Sequence, residues 1–282
     1  MNRRITSFER DGLVLDVTDE GPIDGDPVVL LHGFPERRTC WAEVTPLLHP
    51  RGLRTFAVDQ RGASPGARPT GRRAYAVGEF AQDAHALMEL IGEPVHLVGH
   101  DWGAATAWIT AAMRPDLVRT LTAVSVPHPQ AFLRSMLRST QALKSWYMLA
   151  FNVPAIPERL AARPGGFFDK SLRSSGMSAE GVARFRREMV DGGALPGGLG
   201  WYRAMFLSDD ARKHPTVTVP TTMVWSDGDE FIGRRAAELA EDCVEAAYEL
   251  VVLQGISHWI PTEAPEPLAD AILERIASVT PA

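Results

Sequence analysis

Short apolar runs alternate along this chain with segments of helical pattern, and no other feature restricts its fold as strongly. Six of these runs are typical of buried strands, at residues 28–31, 54–58, 94–98, 120–126, 221–225 and 248–253. Segments that suit crossover helices lie between them, at residues 39–48, 78–91, 102–113, 234–242 and 265–277. Strands that alternate with helices build a mostly parallel sheet with helices on both faces. Two earlier runs, at residues 5–8 and 13–17, add a hairpin, so the predicted sheet has eight strands.

The strand pattern stops between Pro127 and Pro215, where the residues are rich in Arg, Met and aromatic side chains. Pro and Gly interrupt the helical pattern of this stretch, so we predict a set of helices inserted into the sheet domain. The glycine-rich segment 192–200 is typical of a flexible connector between two such helices. The predicted organisation is an α/β core at residues 1–127 and 216–282 with a helical cap, or lid, at residues 128–215.

Composition excludes several classes of protein. The 282 residues are 45% hydrophobic, which is enough for a large core. Asp and Glu number 35 against 29 Lys and Arg, and the net charge of −6 predicts no basic face for nucleic acid. The chain has no run of 18 apolar residues and no apolar N-terminal leader, so we expect a cytoplasmic protein without a membrane span. Cys40 and Cys243 stand outside any metal-ligand pattern, which predicts reduced thiols and no metal site.

An aspartate occupies the position at which a predicted strand turns sharply into a helix. Asp101 lies between Gly99 and Gly103, whose missing side chains let the strand and the helix approach closely. Such a turn presents its central side chain as a nucleophile in a strained backbone conformation. A carboxylate that attacks carbon forms an alkyl ester, so the substrate should carry an electrophilic sp3 carbon, as in an epoxide or an alkyl halide. The other interpretation of Asp101 is a helix N-cap.

A loop after an earlier predicted strand has the sequence His-Gly-Phe-Pro at residues 32–35. From this position the backbone N–H groups of Phe34 and Trp102 are predicted to point into one site. Two such donors form an oxyanion hole, in which one donor typically contributes about 10²–10³ in rate. We assign His32 a structural role, because a histidine inside a tight loop usually ties down backbone.

The histidine and the acid of a catalytic triad have candidates further along the chain. His258 follows the last predicted strand, which fits the chain order nucleophile, acid, histidine. The turn after the strand at residues 221–225 offers two carboxylates, Asp227 and Asp229. We favour Asp229, which lies beyond Gly228 and can reach back to His258, whereas Asp227 suits stabilisation of the turn.

Together these motifs resemble the α/β-fold epoxide hydrolases, over a stretch from about Phe8 to Ala277. The shared motifs are His32-Gly33-Phe34-Pro35, Asp59-Gln60-Arg61-Gly62, the Asp101 turn, Asp229 and His258. The family also carries two tyrosines in its cap. Tyr147 begins a run similar to the family's Tyr-x-x-x-Phe-Gln-x-Pro, with Asn152 in place of the glutamine, and Tyr202 lies in a Trp-Tyr-Arg sequence.

The resemblance implies the α/β-hydrolase fold and an enzyme that converts an epoxide to a vicinal diol. Asp101 would open the epoxide while Tyr147 and Tyr202 act as acids toward its oxygen, since a phenol with an unperturbed pKa of about 10 is a dependable donor at neutral pH. His258, oriented by Asp229, would then activate the water that hydrolyses the alkyl ester. This chemistry requires no cofactor and no metal.

Aromatic residues near these motifs are candidates for an apolar pocket, which favours a small lipophilic epoxide as the substrate. They are Phe34, Trp102, Trp146, Phe151, Trp201, Phe206 and Trp259. The exposed surface of a cap leaves a homodimer open, although no motif specifies an interface.

Two other functions fit parts of the same pattern. A haloalkane dehalogenase uses the same aspartate nucleophile, and Trp102 fits its halide site, but Phe34 lacks the side-chain donor that such enzymes commonly place in that loop. Trp146 or Trp201 would have to supply the donor instead. A non-catalytic α/β-hydrolase that only binds a ligand is the alternative from another class, although such a protein has no need of a complete triad.

Overall fold

Eight strands form a single sheet in this protein, whose computed structural model describes residues 3–207 and 209–279, apart from the side chains of Arg138 and Phe206. The strands are β1 Ser7–Arg10, β2 Leu13–Glu20, β3 Asp26–Leu31, β4 Leu53–Val58, β5 Val95–His100, β6 Val118–Val124, β7 Thr221–Ser226 and β8 Tyr248–Leu253. Their order across the sheet is β1-β2-β4-β3-β5-β6-β7-β8. Strand β2 runs antiparallel to β1 and β4, and the other neighbouring pairs are parallel. The predicted eight-stranded, mostly parallel sheet is confirmed.

A two-residue turn joins β1 to β2. Arg10 pairs with Leu13, and the two residues between them, Asp11 and Gly12, have φ angles of 53° and 75°. Positive φ at both central positions is the geometry of a type I′ turn, whose twist suits a hairpin, and Asp-Gly is a favoured sequence for it. The predicted N-terminal hairpin therefore follows from local turn chemistry.

The helices of the described residues are mostly short. They are α1 Thr45–Leu48, α2 Val77–Ile91, α3 Trp102–Met113, α4 Pro129–Arg138, α5 Gln141–Lys144, α6 Trp146–Ala150, α7 Ile156–Ala161, α8 Phe167–Ser174, α9 Ala179–Phe185, α10 Leu195–Ala204, α11 Asp210–Lys213, α12 Arg234–Glu238, α13 Ile260–Glu263 and α14 Pro265–Ala277. A π-helix, Arg186–Asp191, continues α9. Within residues 3–207 and 209–279, no helix has both the length and the apolar character needed to cross a membrane.

Side-chain alternation along the central strands divides the core into two layers. Val29 and Leu31 of β3 belong to a cluster that includes apolar residues of α2 and α3. Val28 and Leu30 belong to a second cluster, which includes apolar residues of α14. Successive side chains of a strand point to opposite faces of the sheet, so one strand supplies both layers. Helices therefore cover both faces, as predicted.

Two of the predicted crossover helices are shorter than expected. In the segment 39–48, a 3₁₀ turn at Arg38–Trp41 precedes the α-helical residues Thr45–Leu48. Pro46 lies in the first turn of α1, where its missing N–H has no helical partner to lose, and it marks the helix start. In the segment 234–242, the α-helix ends at Glu238 and a 3₁₀ turn follows at Glu241–Cys243.

The prediction of a flexible connector at residues 192–200 was wrong, because most of this segment belongs to helix α10. Its glycines serve close packing. A Cβ atom at Gly197 would lie 2.4 Å from Cα of Gly62, and one at Gly198 would lie 2.7 Å from the Phe34 ring. Close packing against Gly62 and Phe34 therefore holds α10 in helical form despite the low helix propensity of glycine.

Candidate active site

The turn around Asp101 has the strained backbone that the sequence predicts. Asp101 lies between β5 and α3 with φ of 53° and ψ of −119°, a conformation that non-glycine residues rarely adopt. A Cβ at Gly99 would lie 2.2 Å from the carbonyl oxygen of Gly103, so both flanking glycines are needed for this close approach. Asp101 occupies the N-cap position of α3, but its side chain makes no capping hydrogen bond there, so capping does not account for this residue.

One carboxylate oxygen of Asp101 lies against the His-Gly-Phe-Pro loop. The backbone N–H of Phe34 donates to Oδ1 of Asp101 at 2.8 Å, and the backbone N–H of Trp102 also contacts this carboxylate. A Cβ at Gly33 would lie 2.4 Å from Oδ1, so only glycine lets the loop come this near. The structure thus brings together the two N–H groups that the sequence predicts for an oxyanion hole. His32, whose ring contacts the backbone of Gly33 and Gln60, ties down the loop.

The second carboxylate oxygen of Asp101 faces a histidine held by another acid. Nε2 of His258 lies 3.5 Å from Oδ2 of Asp101, and Nδ1 of His258 lies 2.7 Å from Oδ2 of Asp229. The other oxygen of Asp229 accepts hydrogen bonds from the backbone N–H groups of Phe231 and Ile232 at 2.7 and 2.9 Å. These bonds aim the Asp229 carboxylate at the imidazole and satisfy its remaining oxygen.

The structure also separates the two candidate acids of the β7 turn. Asp227 is exposed and accepts a hydrogen bond from the backbone N–H of Gly255 at 2.7 Å, which stabilises the turn. Asp229 is buried and is the residue that reaches His258. Of these two carboxylates, Asp229 is the one that the structure brings together with His258.

Burial and charge act in opposition on the ionisable groups of this site. Burial lowers the pKa of His258, but the charges and hydrogen bonds of Asp229 and Asp101 outweigh burial and raise that pKa to about 10. Burial raises the pKa of Asp101, but the hydrogen bond and charge of His258 outweigh it and hold that pKa below its ordinary value. Asp101 is therefore a carboxylate at neutral pH, which is the form a nucleophile requires.

Both predicted tyrosines lie near the same carboxylate. The Tyr147 and Tyr202 rings are 6.0 Å apart between centroids, and their phenols are close enough to interact. Tyr202 packs edge-on against Phe34 and Trp102, whose backbone N–H groups contact the Asp101 carboxylate. Burial raises the pKa of both phenols well above the ordinary value, and the negative charge of Asp101 adds to the effect. Both phenols therefore keep their protons at neutral pH and remain hydrogen-bond donors.

Two cavities meet at Asp101. The larger has a volume of about 550 Å³ and the smaller about 350 Å³, and both are bordered by Asp101, Tyr147, Tyr202 and Phe231. Of the aromatic residues predicted for the pocket, Phe34, Trp146, Phe151 and Trp259 line the larger cavity, and Trp102 and Trp201 line the smaller. The side chain of Phe206 lies outside the described part of the structure. Apolar walls around a few polar groups are typical of a small-molecule site.

The indole N–H groups bear on the dehalogenase alternative. Nε1 of Trp201 donates to the backbone carbonyl of Arg61 at 3.0 Å, so this donor is already used inside the protein. Trp146 lines the larger cavity and is 61% exposed, so most of its side chain faces solvent. Trp201 is therefore not free to supply the halide donor that this alternative needs in place of the Phe34 side chain.

Two polar residues beside Asp101 and His258 were missed by the sequence reasoning. Glu36 is buried, and its Oε2 atom lies 3.7 Å from Nδ1 of His100, while its Oε1 atom lies 2.7 Å from the guanidinium of Arg184. His100 directs its other ring nitrogen at the backbone carbonyl of His258, at 3.0 Å. Burial lowers the pKa of His100 to about 4, so its neutral ring supports the histidine loop. Glu36 directly follows the His-Gly-Phe-Pro loop in the sequence, and His100 directly precedes Asp101. These positions are the sequence signal that could have indicated both residues.

The described residues do not bring three or more His, Cys, Asp or Glu side chains together in an arrangement that could hold a metal ion. Cys40 and Cys243 are both buried and unpaired with each other.

Comparison with known proteins places the chain in a family. The family model described as alpha/beta hydrolase fold matches residues 26–265. The chain is 34% identical over 273 residues to the AB hydrolase superfamily protein YfhM of Bacillus subtilis, covering 94% of this chain and 95% of that relative. It is 31% identical over 255 residues to epoxide hydrolase 4 of Homo sapiens, covering 86% of this chain and 70% of that relative.

Solved structures give the same result. A structure from a study of novel epoxide hydrolases of the alpha/beta hydrolases superfamily, found in metagenomes from hot environments, superposes with a TM-score of 0.83 at 28% identity, covering 94% of this chain and 95% of its own. The resemblance predicted from the motifs is confirmed. This chain belongs to the alpha/beta hydrolase family and is an epoxide-hydrolase-like enzyme within it.

Proposed function

We propose that this enzyme hydrolyses a lipophilic epoxide to a vicinal diol through a covalent alkyl ester on Asp101. The observation that carries the proposal is that the two oxygens of the Asp101 carboxylate have different partners. Oδ1 accepts from the Phe34 N–H at 2.8 Å, whereas Oδ2 faces His258 at 3.5 Å. A nucleophile with one oxygen already in an oxyanion hole is prepared for ester formation and for ester hydrolysis.

In the first step, Oδ2 of Asp101 attacks an epoxide carbon. A bond forms between Oδ2 and that carbon, the carbon–oxygen bond of the ring breaks, and its electron pair goes to the ring oxygen. The phenols of Tyr147 and Tyr202 border the same cavities as Asp101, so they donate to this oxygen and protonate it. His258 takes no proton here, because Asp101 is already ionised.

In the second step, water attacks Cγ of the Asp101 ester while His258 accepts a proton from it. The negative charge that develops on Oδ1 is stabilised by the N–H groups of Phe34 and Trp102. The intermediate then collapses, the Cγ–Oδ2 bond breaks, and the diol leaves with Oδ2 after protonation by His258. The second proton of the water leaves the regenerated Asp101 carboxyl and restores the phenol that protonated the ring oxygen, so the enzyme returns to its starting state. Ester formation removes the Asp101 charge that helps to raise the pKa of His258, so the imidazole releases its proton to solvent and can then accept one from the attacking water.

Residues 128–215 would act as a cap in this scheme. Tyr147 lies in α6 and Tyr202 in α10, both between β6 and β7, whereas Asp101, Asp229 and His258 lie in loops at the ends of β5, β7 and β8. The acids and the nucleophile would therefore belong to different units that face each other across the cavities. An arrangement of this kind lets the cap position the epoxide oxygen while the core performs the ester chemistry.

The test of this function is product formation from styrene oxide. The wild-type protein is expected to release phenylethanediol over many turnovers, and Asp101→Asn is expected to release none, because an amide is not a competent nucleophile. Asp227→Asn is a matched control, because Asp227 is an acid in the same loop as Asp229 but lies away from the imidazole of His258. Full turnover by freshly purified Asp101→Asn, with the amide verified by mass spectrometry, would exclude the mechanism.

A further inference from the structure

Exposed apolar side chains are concentrated on the helices between β6 and β7. Leu143, Trp146, Leu149 and Val153 are 75%, 61%, 66% and 42% exposed. Leu143 lies in α5, Trp146 and Leu149 lie in α6, and Val153 follows α6. Tyr147, which lies among them in sequence, lines both cavities instead. The segment therefore presents one face to the active site and an apolar face to the outside.

This outer face continues to the opening of the larger cavity. Ile156 at the start of α7 and Phe167 at the start of α8 are 51% and 56% exposed, and both line that cavity together with Trp146. Side chains that are exposed and also border a cavity lie at its mouth. We call this surface the entrance rim. It consists of Leu143, Trp146, Leu149, Val153, Ile156 and Phe167.

Positive charges lie on the same helices as the rim residues Ile156 and Phe167, and in the loop between those helices. Arg159 lies in α7, Arg163 in the following loop, and Lys170 and Arg173 in α8, and all four are exposed. Within the ranges that the structure describes, none of these four forms an ion pair with a carboxylate. Their charges are therefore available to a partner.

The acidic residues of the same helices are neutralised internally. Glu158 pairs with Arg203 at 2.8 Å and Asp169 pairs with Arg186 at 2.8 Å. Glu230, at the edge of the larger cavity, is an exposed carboxylate that lines it together with Lys144. In sequence, residues 128–215 contain 13 Lys and Arg against 7 Asp and Glu, although the whole chain has a net charge of −6. Residues 128–215 therefore have an excess of positive charge, although the charge of the whole chain is negative.

We propose that the entrance rim docks on a lipid bilayer whose surface carries anionic headgroups. Exposed Trp, Phe and Leu side chains beside Lys and Arg are typical of surfaces that lie in the membrane interface without crossing it. The cations would meet the headgroups while the apolar side chains enter the boundary of the acyl chains. The mouth of the larger cavity would then open toward the phase in which a lipophilic epoxide dissolves. This inference goes beyond the proposed function, since docking requires no chemistry.

A second copy of the chain fits this surface less well. In a symmetric dimer the same patch meets itself, so Arg159, Arg163, Lys170 and Arg173 would approach their own counterparts. Like charges at short distance oppose such an interface. An anionic bilayer presents the opposite charge to the same four side chains.

The test is flotation of the whole protein with vesicles of phosphatidylcholine alone and of equal parts phosphatidylcholine and phosphatidylglycerol. We expect binding to the anionic vesicles that weakens as salt is added, and little binding to the neutral ones. Arg163→Gln/Lys170→Gln should weaken binding on the order of 20-fold, because each cation near an anionic surface contributes about fivefold. The control Arg3→Gln/Arg51→Gln, which removes two exposed cations of the sheet domain, should leave binding unchanged.

A second pair of variants tests the apolar part of the surface. Leu143→Ser/Leu149→Ser should weaken binding to anionic vesicles at least tenfold, on the order of what loss of two buried aliphatic side chains implies. Val14→Ser/Leu90→Ser removes side chains that are 40% and 39% exposed on the sheet domain, and it should have no effect.

Fluorescence gives a direct measure of insertion. Trp146 is the one tryptophan of seven that is exposed, and all seven lie within the described residues. Lipids with brominated acyl chains should therefore quench part of the protein fluorescence, and Trp146→Phe should abolish this quenching. Quenching that persists in Trp146→Phe would place another region in the bilayer and would overturn the proposal.

Absence of wild-type binding to anionic vesicles overturns the proposal, as does binding that Arg163→Gln/Lys170→Gln leaves intact. A wild-type dimer in size-exclusion chromatography with light scattering that Leu143→Ser/Leu149→Ser dissociates would assign the surface to a second copy, and would also overturn it. Turnover of styrene oxide without vesicles is measured in parallel, and Arg163→Gln/Lys170→Gln should retain it. Failure of docking is thus distinguishable from failure of the proposed hydrolysis.

Discussion

The backbone N–H of Phe34 donates a hydrogen bond of 2.8 Å to Oδ1 of Asp101. This contact joins two loops that leave neighbouring strands, β3 and β5, at the same edge of the sheet. It gives the two oxygens of one carboxylate different surroundings, and this asymmetry leads to the first prediction.

Only one oxygen of Asp101 should be exchanged with solvent during catalysis. In a single turnover in H₂¹⁸O with enzyme in excess, the label is expected in the Asp101 carboxylate and not in the diol, because water attacks Cγ and the diol leaves with Oδ2. Mass spectrometry of the diol and of the Asp101 peptide measures both. Label in the diol of a first turnover would instead indicate direct attack of water on the epoxide.

The two tyrosines should affect one step of the reaction and not the other. Tyr147→Phe and Tyr202→Phe are each expected to slow ester formation by about 10²-fold or more, because each removes a donor to the developing alkoxide. Hydrolysis of the ester should keep its rate, since it uses His258 and the oxyanion hole. Rapid quenching followed by intact-protein mass spectrometry separates the two steps. Normal ester formation with slow hydrolysis in either variant would contradict this assignment.

His258 should make stability depend on pH in a definite direction. Its pKa is raised to about 10 in the folded protein, above the ordinary value of 6.5. A raised pKa means that the protonated side chain stabilises the fold below about pH 6.5 and that this contribution is lost as the pH rises toward 10. The difference in free energy of unfolding between wild type and His258→Gln should therefore shrink from neutral to alkaline pH. Urea unfolding at constant salt measures it, and a difference that grows with pH would contradict the ion pair.

Gln141 should contribute to stability through a junction between α5 and the loop of Asp229. Its buried amide donates to the carbonyl of Phe231 at 2.7 Å and accepts from the N–H of Gly233 at 2.8 Å. Gln141→Ala leaves these backbone groups without partners, so we expect a loss of about 1–3 kcal/mol in the free energy of unfolding. Gln82→Ala is the control, because that side chain is exposed. Equal stability of the two variants in urea unfolding would disprove the role of the junction.

Much of the fold is predictable from the sequence because its signals are local. Residues 28–31 form an apolar run whose side chains are buried on both faces of the sheet. Asp11 and Gly12 favour the positive φ angles that the turn between β1 and β2 requires. The positions of Asp101 and His258 follow from the same logic, since each lies within five residues of the end of a predicted strand. Parallel strands bring such loops to one edge of the sheet.

Features that depend on distant contacts are not predictable in this way. Helix α10 is one example, because the packing of Gly197 against Gly62 holds a segment whose local preference is for a connector. The pairing of Glu36 with Arg184 is another, since it requires α9 to lie over the His-Gly-Phe-Pro loop. The positive excess of residues 128–215 is visible in the sequence, but the entrance rim is defined only by the exposure of individual side chains.

The most direct test of the central claim is to trap the ester. His258→Ala, incubated with styrene oxide, should gain the mass of one whole epoxide molecule, because ring opening releases no leaving group. Peptide mapping should place the adduct on Asp101, and Asp101→Asn/His258→Ala should gain nothing. His258→Gln provides a second trapping variant, and circular dichroism verifies that both are folded. An adduct formed only from 1-bromobutane, with release of bromide, or an adduct on a residue other than Asp101, would contradict the account.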